Sequence, residues 1–284
     1  MTPIVDLASA SALYDGTLTT PRLNHPEGLA VAEDGAVWCG GETGELYRIA
    51  PDGSTLTEVA STGGFILGVA FDRAGNLYAC DLMHAAVFRY EVAAGRLSVF
   101  AQGDGDRRIR IPNWPVVDHV RGCLYVSDSH EPGGPGPGVW RFDLAGGDGD
   151  LWFDGDLTFA NGMALNPAGD ELYVSETFAR RVVAIPIGTD GAAGEPRLVV
   201  ENIERLPDGL AFDERGRLYI GCYEPSRVYR LDNGVLELFV DDPDAHLLCH
   251  PTNVAFRGSE LLTSNLGRWH ITRMQTDTAG WPLL

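Results

Sequence analysis

The chain has 284 residues, of which 44% are hydrophobic and 21% charged, and this length excludes a mini-protein that depends on disulfides for its stability. Its 21 Lys and Arg are outnumbered by 40 Asp and Glu, so the formal net charge is −19, the wrong sign for binding nucleic acid or an anionic membrane surface. The N-terminus lacks a signal-peptide pattern, and no apolar run approaches the length of about eighteen residues that a membrane span needs. We therefore expect a cytoplasmic protein with neither nucleic acid nor a membrane as its partner.

One short pattern recurs six times along the chain, at a spacing typical of propeller blades. It begins with an apolar run, continues through a turn that contains glycine, and ends in a second apolar run that predicts a paired strand. We interpret the first run of each repeat as an inner strand. The six inner runs are 28–31, 68–71, 115–117, 162–165, 209–212 and 253–256.

A third strand with alternating apolar and polar residues follows in every repeat, and five repeats add an outer strand. The sixth repeat has almost no chain left for one, so we predict that the N-terminal segment 4–7 supplies it and closes the ring. The prediction is an all-β, six-bladed β-propeller with four-stranded blades, in a single domain over residues 1–284.

Equivalent residues at the starts of the inner strands should form one ring around the central channel. Four of these six positions carry side-chain oxygens, and the other two are Leu67 and Thr252. An alternative is that Asn or Asp before Gly simply forms a turn, but Glu before Gly does not fit it. Carboxylate and amide oxygens facing one another need a cation, and such ligands suit Ca²⁺, Mg²⁺ or Mn²⁺ with positions left open. The four predicted ligands are Glu27, Asn113, Asn161 and Asp208.

These residues lie in phrases that resemble the senescence marker protein-30/gluconolactonase family of six-bladed propellers. The phrases are 25–30, 159–167, 206–211 and 251–256. The resemblance implies that the four residues hold one divalent metal, with calcium favoured and zinc, iron, manganese or magnesium as alternatives. It also implies hydrolysis of lactones, esters or organophosphates, with Asp208 as general base. The family's Arg-x-Asn-Asp-Gly is replaced here by Ile111-Pro112-Asn113-Trp114-Pro115, which favours a less polar substrate than a sugar lactone.

Second strands should end at the same rim as the ring, which predicts substrate contacts there. The predicted contacts are His130, Glu131 and Glu176 at these strand ends, Trp114 beside the ring, and His250 before its sixth position. The Gly- and Pro-rich segment 131–138 is predicted to be a loop, either a lid over the channel mouth or a surface turn.

The sequence therefore predicts a metal-dependent lactonase or esterase, in which the metal polarises the carbonyl of a small lactone or ester and Asp208 activates water. A phosphotriesterase-like hydrolase on the same metal remains open. So do a binding protein with a structural ion and a strictosidine-synthase-like enzyme without metal, although the two asparagines of the ring disfavour the latter. We expect a monomer or weak oligomer.

Overall fold

The computed structural model of the protein describes residues 1–131 and 134–282, in which short antiparallel strands dominate. The first strand, β1 (Ser11–Asp15), follows a 3-10 turn at Leu7–Ser9. Asp6 caps that turn by accepting a hydrogen bond from the backbone N–H of Ala8. Within these two ranges, no helix is long and apolar enough to cross a membrane.

The remaining strands follow along the chain in six groups, four strands in each of blades 1 to 5 and three in blade 6. Blade 1 contains β2 (Leu29–Val31), β3 (Val37–Gly40), β4 (Glu45–Ile49) and β5 (Leu56–Ser61); blade 2 contains β6 (Ile66–Phe71), β7 (Asn76–Asp81), β8 (Ala86–Glu91) and β9 (Arg96–Ala101). Blade 3 contains β10 (Pro112–Asp118), β11 (Cys123–Asp128), β12 (Pro135–Asp143) and β13 (Gly149–Thr158); blade 4 contains β14 (Ala160–Leu165), β15 (Glu171–Glu176), β16 (Arg181–Pro186) and β17 (Arg197–Val200). Blade 5 contains β18 (Leu206–Phe212), β19 (Leu218–Glu224), β20 (Arg227–Asp232) and β21 (Val235–Asp241); blade 6 contains β22 (Val254–Arg257), β23 (Glu260–Ser264) and β24 (His270–Gln275).

The inner strands of the six blades form a closed ring. β2 contacts β6 on one side and β22 on the other, and β10, β14 and β18 complete the circle in chain order. Within each sheet, sequence neighbours pair antiparallel, and the turn between the first two strands contains a glycine with positive φ in every blade. The predicted six-bladed, all-β propeller with four-stranded blades is confirmed.

Ring closure also follows the prediction, but through a different segment. β1 pairs with β24 and occupies the outer position of blade 6, whereas the prediction that residues 4–7 form this strand was wrong. Ile4 and Val5 instead donate backbone hydrogen bonds to carbonyls of β21 at 3.0 and 2.8 Å. The reason is burial, because Leu13 of β1 is 6% exposed and Ile4 is 45% exposed.

The segment 131–138 is only partly a loop. β12 already begins at Pro135 and pairs with β13 as far as Thr158, while residues 132 and 133 lie outside the described part of the chain. Since β11 ends at Asp128, this part of β12 pairs on one side only, where proline is tolerated. The prediction of a loop was therefore wrong for residues 135–138, which extend a two-stranded ribbon.

The apolar core is divided into six clusters, each between two neighbouring blades. Because alternate residues of a strand point to opposite sides of its sheet, each blade contributes side chains to two of these interfaces. All five cysteines are buried free thiols, as expected for small apolar side chains.

Candidate metal centre

Four polar side chains occupy equivalent places at one end of the central channel. Glu27 lies just before β2, and Asn113, Asn161 and Asp208 lie near the beginnings of β10, β14 and β18. Each is only 5 to 7% exposed. Because all inner strands have the same place and direction in their blades, these side chains share one level of the channel.

The glycine after a ring residue serves close packing rather than a turn. Asn161-Gly162 and Asp208-Gly209 lie inside β14 and β18, and neither glycine has a positive φ. A Cβ atom on Gly162 would lie 2.3 Å from the carbonyl oxygen of Asp208, and one on Gly209 would lie 2.7 Å from that of Thr252. The turn alternative is therefore wrong, and glycine is present because neighbouring inner strands nearly touch.

Two hydroxyl groups fix the orientation of the asparagine amides. The Nδ2 atom of Asn113 donates to Ser129 Oγ at 2.9 Å, and that of Asn161 donates to Thr177 Oγ1 at 3.0 Å. Both hydroxyls donate their own hydrogen to backbone carbonyls of the next blade, at 2.7 and 2.9 Å. They can therefore only accept from the amides, so each Oδ1 atom points away from its hydroxyl.

The buried oxygens of this ring lack partners among the described residues. Glu27 Oε2, Asn161 Oδ1 and Asp208 Oδ1 are buried and accept no hydrogen bond there. Burial raises the pKa of Glu27 to about 8. Burial, and then the charge of Glu27, raise the pKa of Asp208 well above its usual range. The two carboxylates thus lie close enough to repel each other when both are ionised.

The donor set fits a hard divalent cation. A cation among these oxygens would replace their lost hydration and neutralise the two carboxylates. Across residues 1–131 and 134–282, no group of three or more His, Cys, Asp or Glu side chains is placed to hold a metal. The mixed carboxylate and amide ring, which offers oxygen ligands only, is therefore the candidate centre, and its chemistry favours calcium or magnesium over zinc.

Trp114 packs in the apolar core, and its role as a substrate contact stays a prediction. Its side chain is 7% exposed and belongs to the apolar cluster between blades 3 and 4, together with Tyr125, Val139 and Trp152.

Glu176 makes structural contacts, and its role as a substrate contact also stays a prediction. Its side chain is fully buried, and it accepts hydrogen bonds from Arg181 at 2.5 and 3.0 Å and from the backbone N–H of Thr158 at 2.8 Å. Asp128 has the same place in blade 3, where it accepts from backbone N–H groups and from Trp140. A carboxylate at the end of the second strand thus binds the segment that precedes the inner strand of the same blade.

His130 and Glu131 remain predictions as substrate contacts. Both lie beside Arg110, whose guanidinium is 3.3 Å from His130 Nε2 and 2.5 Å from Glu131 Oε1. His130 is half-buried and Glu131 is exposed, which leaves the group accessible to a ligand.

His250 is held against Tyr223, a residue that the sequence analysis missed. The two rings stack with centroids 4.4 Å apart, and His250 Nδ1 lies 2.9 Å from the carbonyl oxygen of Tyr223. Burial raises the pKa of Tyr223, and the charges of Glu27 and Asp208 contribute to that rise. Tyr223 therefore lies near the ring, and the prediction that His250 contacts substrate stays open.

The sequence analysis did not foresee that hydroxyl residues orient the asparagines. They belong to a repeated Ser-acid-Ser/Thr pattern, Ser127-Asp128-Ser129 and Ser175-Glu176-Thr177, at the ends of β11 and β15. Ser127 and Ser175 donate to the carbonyls of Asn161 and Asp208 at 2.8 and 2.6 Å. The recurrence of this pattern in two blades was the available signal.

The chain belongs to the SMP-30/gluconolactonase/LRE-like family, whose model matches residues 58–264. Among curated proteins it is 30% identical over 139 residues to a 6-deoxy-6-sulfogluconolactonase of Pseudomonas putida, a match that covers 45% of this chain and 44% of that protein. It is 26% identical over 233 residues to strictosidine synthase-like protein 6 of Arabidopsis thaliana, which covers 74% of this chain and 58% of that protein. The chain thus spans about half the length of the curated relatives it matches.

Solved structures share the fold. A gluconolactonase from Xanthomonas campestris superposes with a TM-score of 0.77 at 22% identity, covering 94% of this chain and 89% of that one. Regucalcin from Agrobacterium tumefaciens, a calcium-binding protein, superposes with a TM-score of 0.71 at 17% identity, covering 91% of each chain.

Proposed function

We propose that this protein is a divalent-metal-dependent hydrolase of a lactone or a related carboxylic ester. The observation that supports this most directly is the set of three buried oxygens, on Glu27, Asn161 and Asp208, that lack partners in the described structure. Asn113 completes the proposed ligand set. Family membership and the sulfogluconolactonase relative support lactone hydrolysis. The calcium-binding neighbour supports calcium as the first ion to test.

When bound, the ion supplies a Lewis acid that polarises the substrate carbonyl. Asp208 accepts a proton from the attacking water, whose oxygen forms the new bond to the carbonyl carbon. The bond from that carbon to the ring or ester oxygen then breaks, and the proton passes to the departing oxygen. Glu27 would balance the charge of the ion, and the amide oxygens of Asn113 and Asn161, oriented by Ser129 and Thr177, would complete its ligand set.

The test combines metal analysis of the purified protein with proton-release assays. The panel contains glucono-δ-lactone, an alkyl δ-lactone, an aryl ester and a phosphotriester, each assayed with calcium, with chelator, and with chelator followed by excess calcium. We expect lactone or ester hydrolysis that chelator abolishes and calcium restores.

Three results would contradict the proposal. Turnover that chelator leaves unchanged would exclude the metal mechanism, and a stoichiometrically bound ion without hydrolysis of any substrate would favour a binding protein with a structural ion. Hydrolysis of the phosphotriester alone would replace the lactonase with the phosphotriesterase alternative.

A further inference from the structure

A second ring of side chains lies two residues before each position of the first. We call these six residues the collar. Each is half-buried, and in blades 2, 3, 4 and 6 its carbonyl accepts a hydrogen bond from the residue that leaves the second strand. The collar therefore occupies the channel mouth next to the oxygen ring. It consists of His25, Phe65, Ile111, Phe159, Leu206 and His250.

The collar presents apolar and aromatic surface. Phe159 packs edge-on against Phe178, with ring centroids 4.9 Å apart, although Phe178 itself is 44% exposed. His25 packs edge-on against Trp269 at 5.1 Å, and His250 stacks on Tyr223. An accessible apolar surface at the entrance of a polar site is typical of a binding pocket for the apolar part of a ligand.

The two histidines contribute ring faces rather than a pair of free donors. His25 Nδ1 lies 2.7 Å from the carbonyl oxygen of Leu266, and His250 Nδ1 makes the same kind of contact with Tyr223. A carbonyl only accepts, so Nδ1 must be the donor in each case. Each imidazole is thereby fixed against its aromatic neighbour.

Charged groups beside the collar pair with one another in two places, and the carboxylate of Glu42 lies 4.0 Å from Nε2 of His25 in the collar. Arg110 contacts Glu131 next to Ile111, and Arg205, beside Leu206, lies 3.9 Å from Glu224. A sugar lactone would bring several hydroxyl groups against apolar side chains that offer few partners, and unpaired buried hydroxyls are costly.

We propose that the collar binds an apolar substituent, so that the substrate is an alkyl- or aryl-substituted lactone or ester rather than a polyhydroxylated sugar lactone. The inference that this ligand is a substrate rests on the proposed function. The preference of the collar for apolar ligands can be measured without turnover.

The experiment uses two non-hydrolysable δ-lactams, one with a pentyl chain and one with the hydroxyl pattern of gluconolactone. Their affinities for the full chain with calcium are measured by calorimetry. The variant is Phe159→Asn, because Phe159 has φ 58° and Asn tolerates this left-handed backbone. Leu198→Ser, a 51% exposed position on the outer strand β17, is the control. Circular dichroism establishes that both variants are folded.

We expect the pentyl lactam to bind at least about ten-fold more tightly than the polyhydroxylated one, and Phe159→Asn to weaken only the pentyl lactam by a similar factor. Equal or tighter binding of the polyhydroxylated lactam would overturn the proposal that the collar binds apolar groups. An unchanged affinity of folded Phe159→Asn for the pentyl lactam would overturn it as well. If the expected lactam preference holds while no lactone or ester is hydrolysed, the collar stands and the proposed enzymatic function fails.

Discussion

At the scale of a single residue, Asp208 has two proposed roles, as a metal ligand and as the general base. It is 5% exposed, one of its oxygens is without a partner in the described structure, and the charge of Glu27 acts on it. A buried carboxylate in this state is costly unless a cation is nearby. The same residue can therefore bind an ion and, through its second oxygen, take a proton from water.

Replacing Asp208 by Asn keeps a ligand oxygen but removes the base. We expect kcat for the best lactone substrate to fall by about 10² to 10⁴, the usual contribution of a general base, with a smaller loss of calcium affinity. Stopped-flow proton release and calcium titration measure the two effects. Asp52→Asn, a change at a surface turn, should leave both unchanged, and wild-type kcat in Asp208→Asn would exclude it as the base.

The raised pKa of Glu27 predicts a pH dependence for the ion-free protein. Between its unfolded value of 4.5 and its folded value of about 8, the native state holds a proton that the unfolded chain has released. The free energy of unfolding should therefore fall as the pH rises through this window, and Asp208 adds to the same trend.

Thermal unfolding with chelator should give a Tm several degrees lower at pH 8 than at pH 5, and calcium at pH 8 should reverse this loss. Glu27→Gln should flatten the profile, since it removes the titrating group. A profile that is identical in the variant would show that Glu27 is not the cause.

At the scale of elements, the ends of the second strands hold the ring in place. Ser127, Ser129, Ser175 and Thr177 each donate to a backbone carbonyl near the beginning of the next blade's inner strand. These bonds connect β11 to β14 and β15 to β18, so the spacing of the ring is supported by hydroxyl groups that are not among the proposed ligands.

Thr177→Val should therefore lower calcium affinity by about ten-fold, because Asn161 loses the acceptor that orients its amide. Calcium titration by calorimetry measures the change. Thr263→Val is a matched control, since Thr263 is buried and its hydroxyl makes no hydrogen bond to the described residues. Equal affinities in the two variants would contradict the positioning role.

At the scale of the whole molecule, stability depends on a closed ring. β1 and β24 join the two ends of the chain in one sheet, and Leu13 packs in the cluster that connects blade 6 to blade 1. Closure buries the apolar faces of blades 6 and 1 that an open array of blades would expose.

Leu13→Ala should lower the free energy of unfolding by about 2 to 5 kcal/mol, the usual cost of a cavity in a core. Ile4→Ala, in the segment first predicted to close the ring, should cost about 0.5 kcal/mol or less because the side chain is exposed. Urea denaturation compares the two. A larger effect at Ile4 than at Leu13 would contradict closure by β1.

The sequence by itself determined the six repeats, the four-stranded blades and the positions of Glu27, Asn113, Asn161 and Asp208. It could do so because strand order and period are local properties, and a repeated position in equivalent strands has one place relative to the axis. The sequence also showed the glycines that follow the ring residues, such as Gly162 and Gly209. It did not show that they allow neighbouring inner strands to approach closely.

Only the tertiary structure decided which segment closes the ring, where Trp114 packs, and that Glu176 is held by Arg181. The tertiary structure also brought together the six collar residues, which no common residue type marks in the sequence. Each of these depends on which group from a distant part of the chain lies nearest, and on whether that group or solvent covers the side chain. Pairing and burial of this kind are set by contacts between blades, which the period of a repeat does not encode.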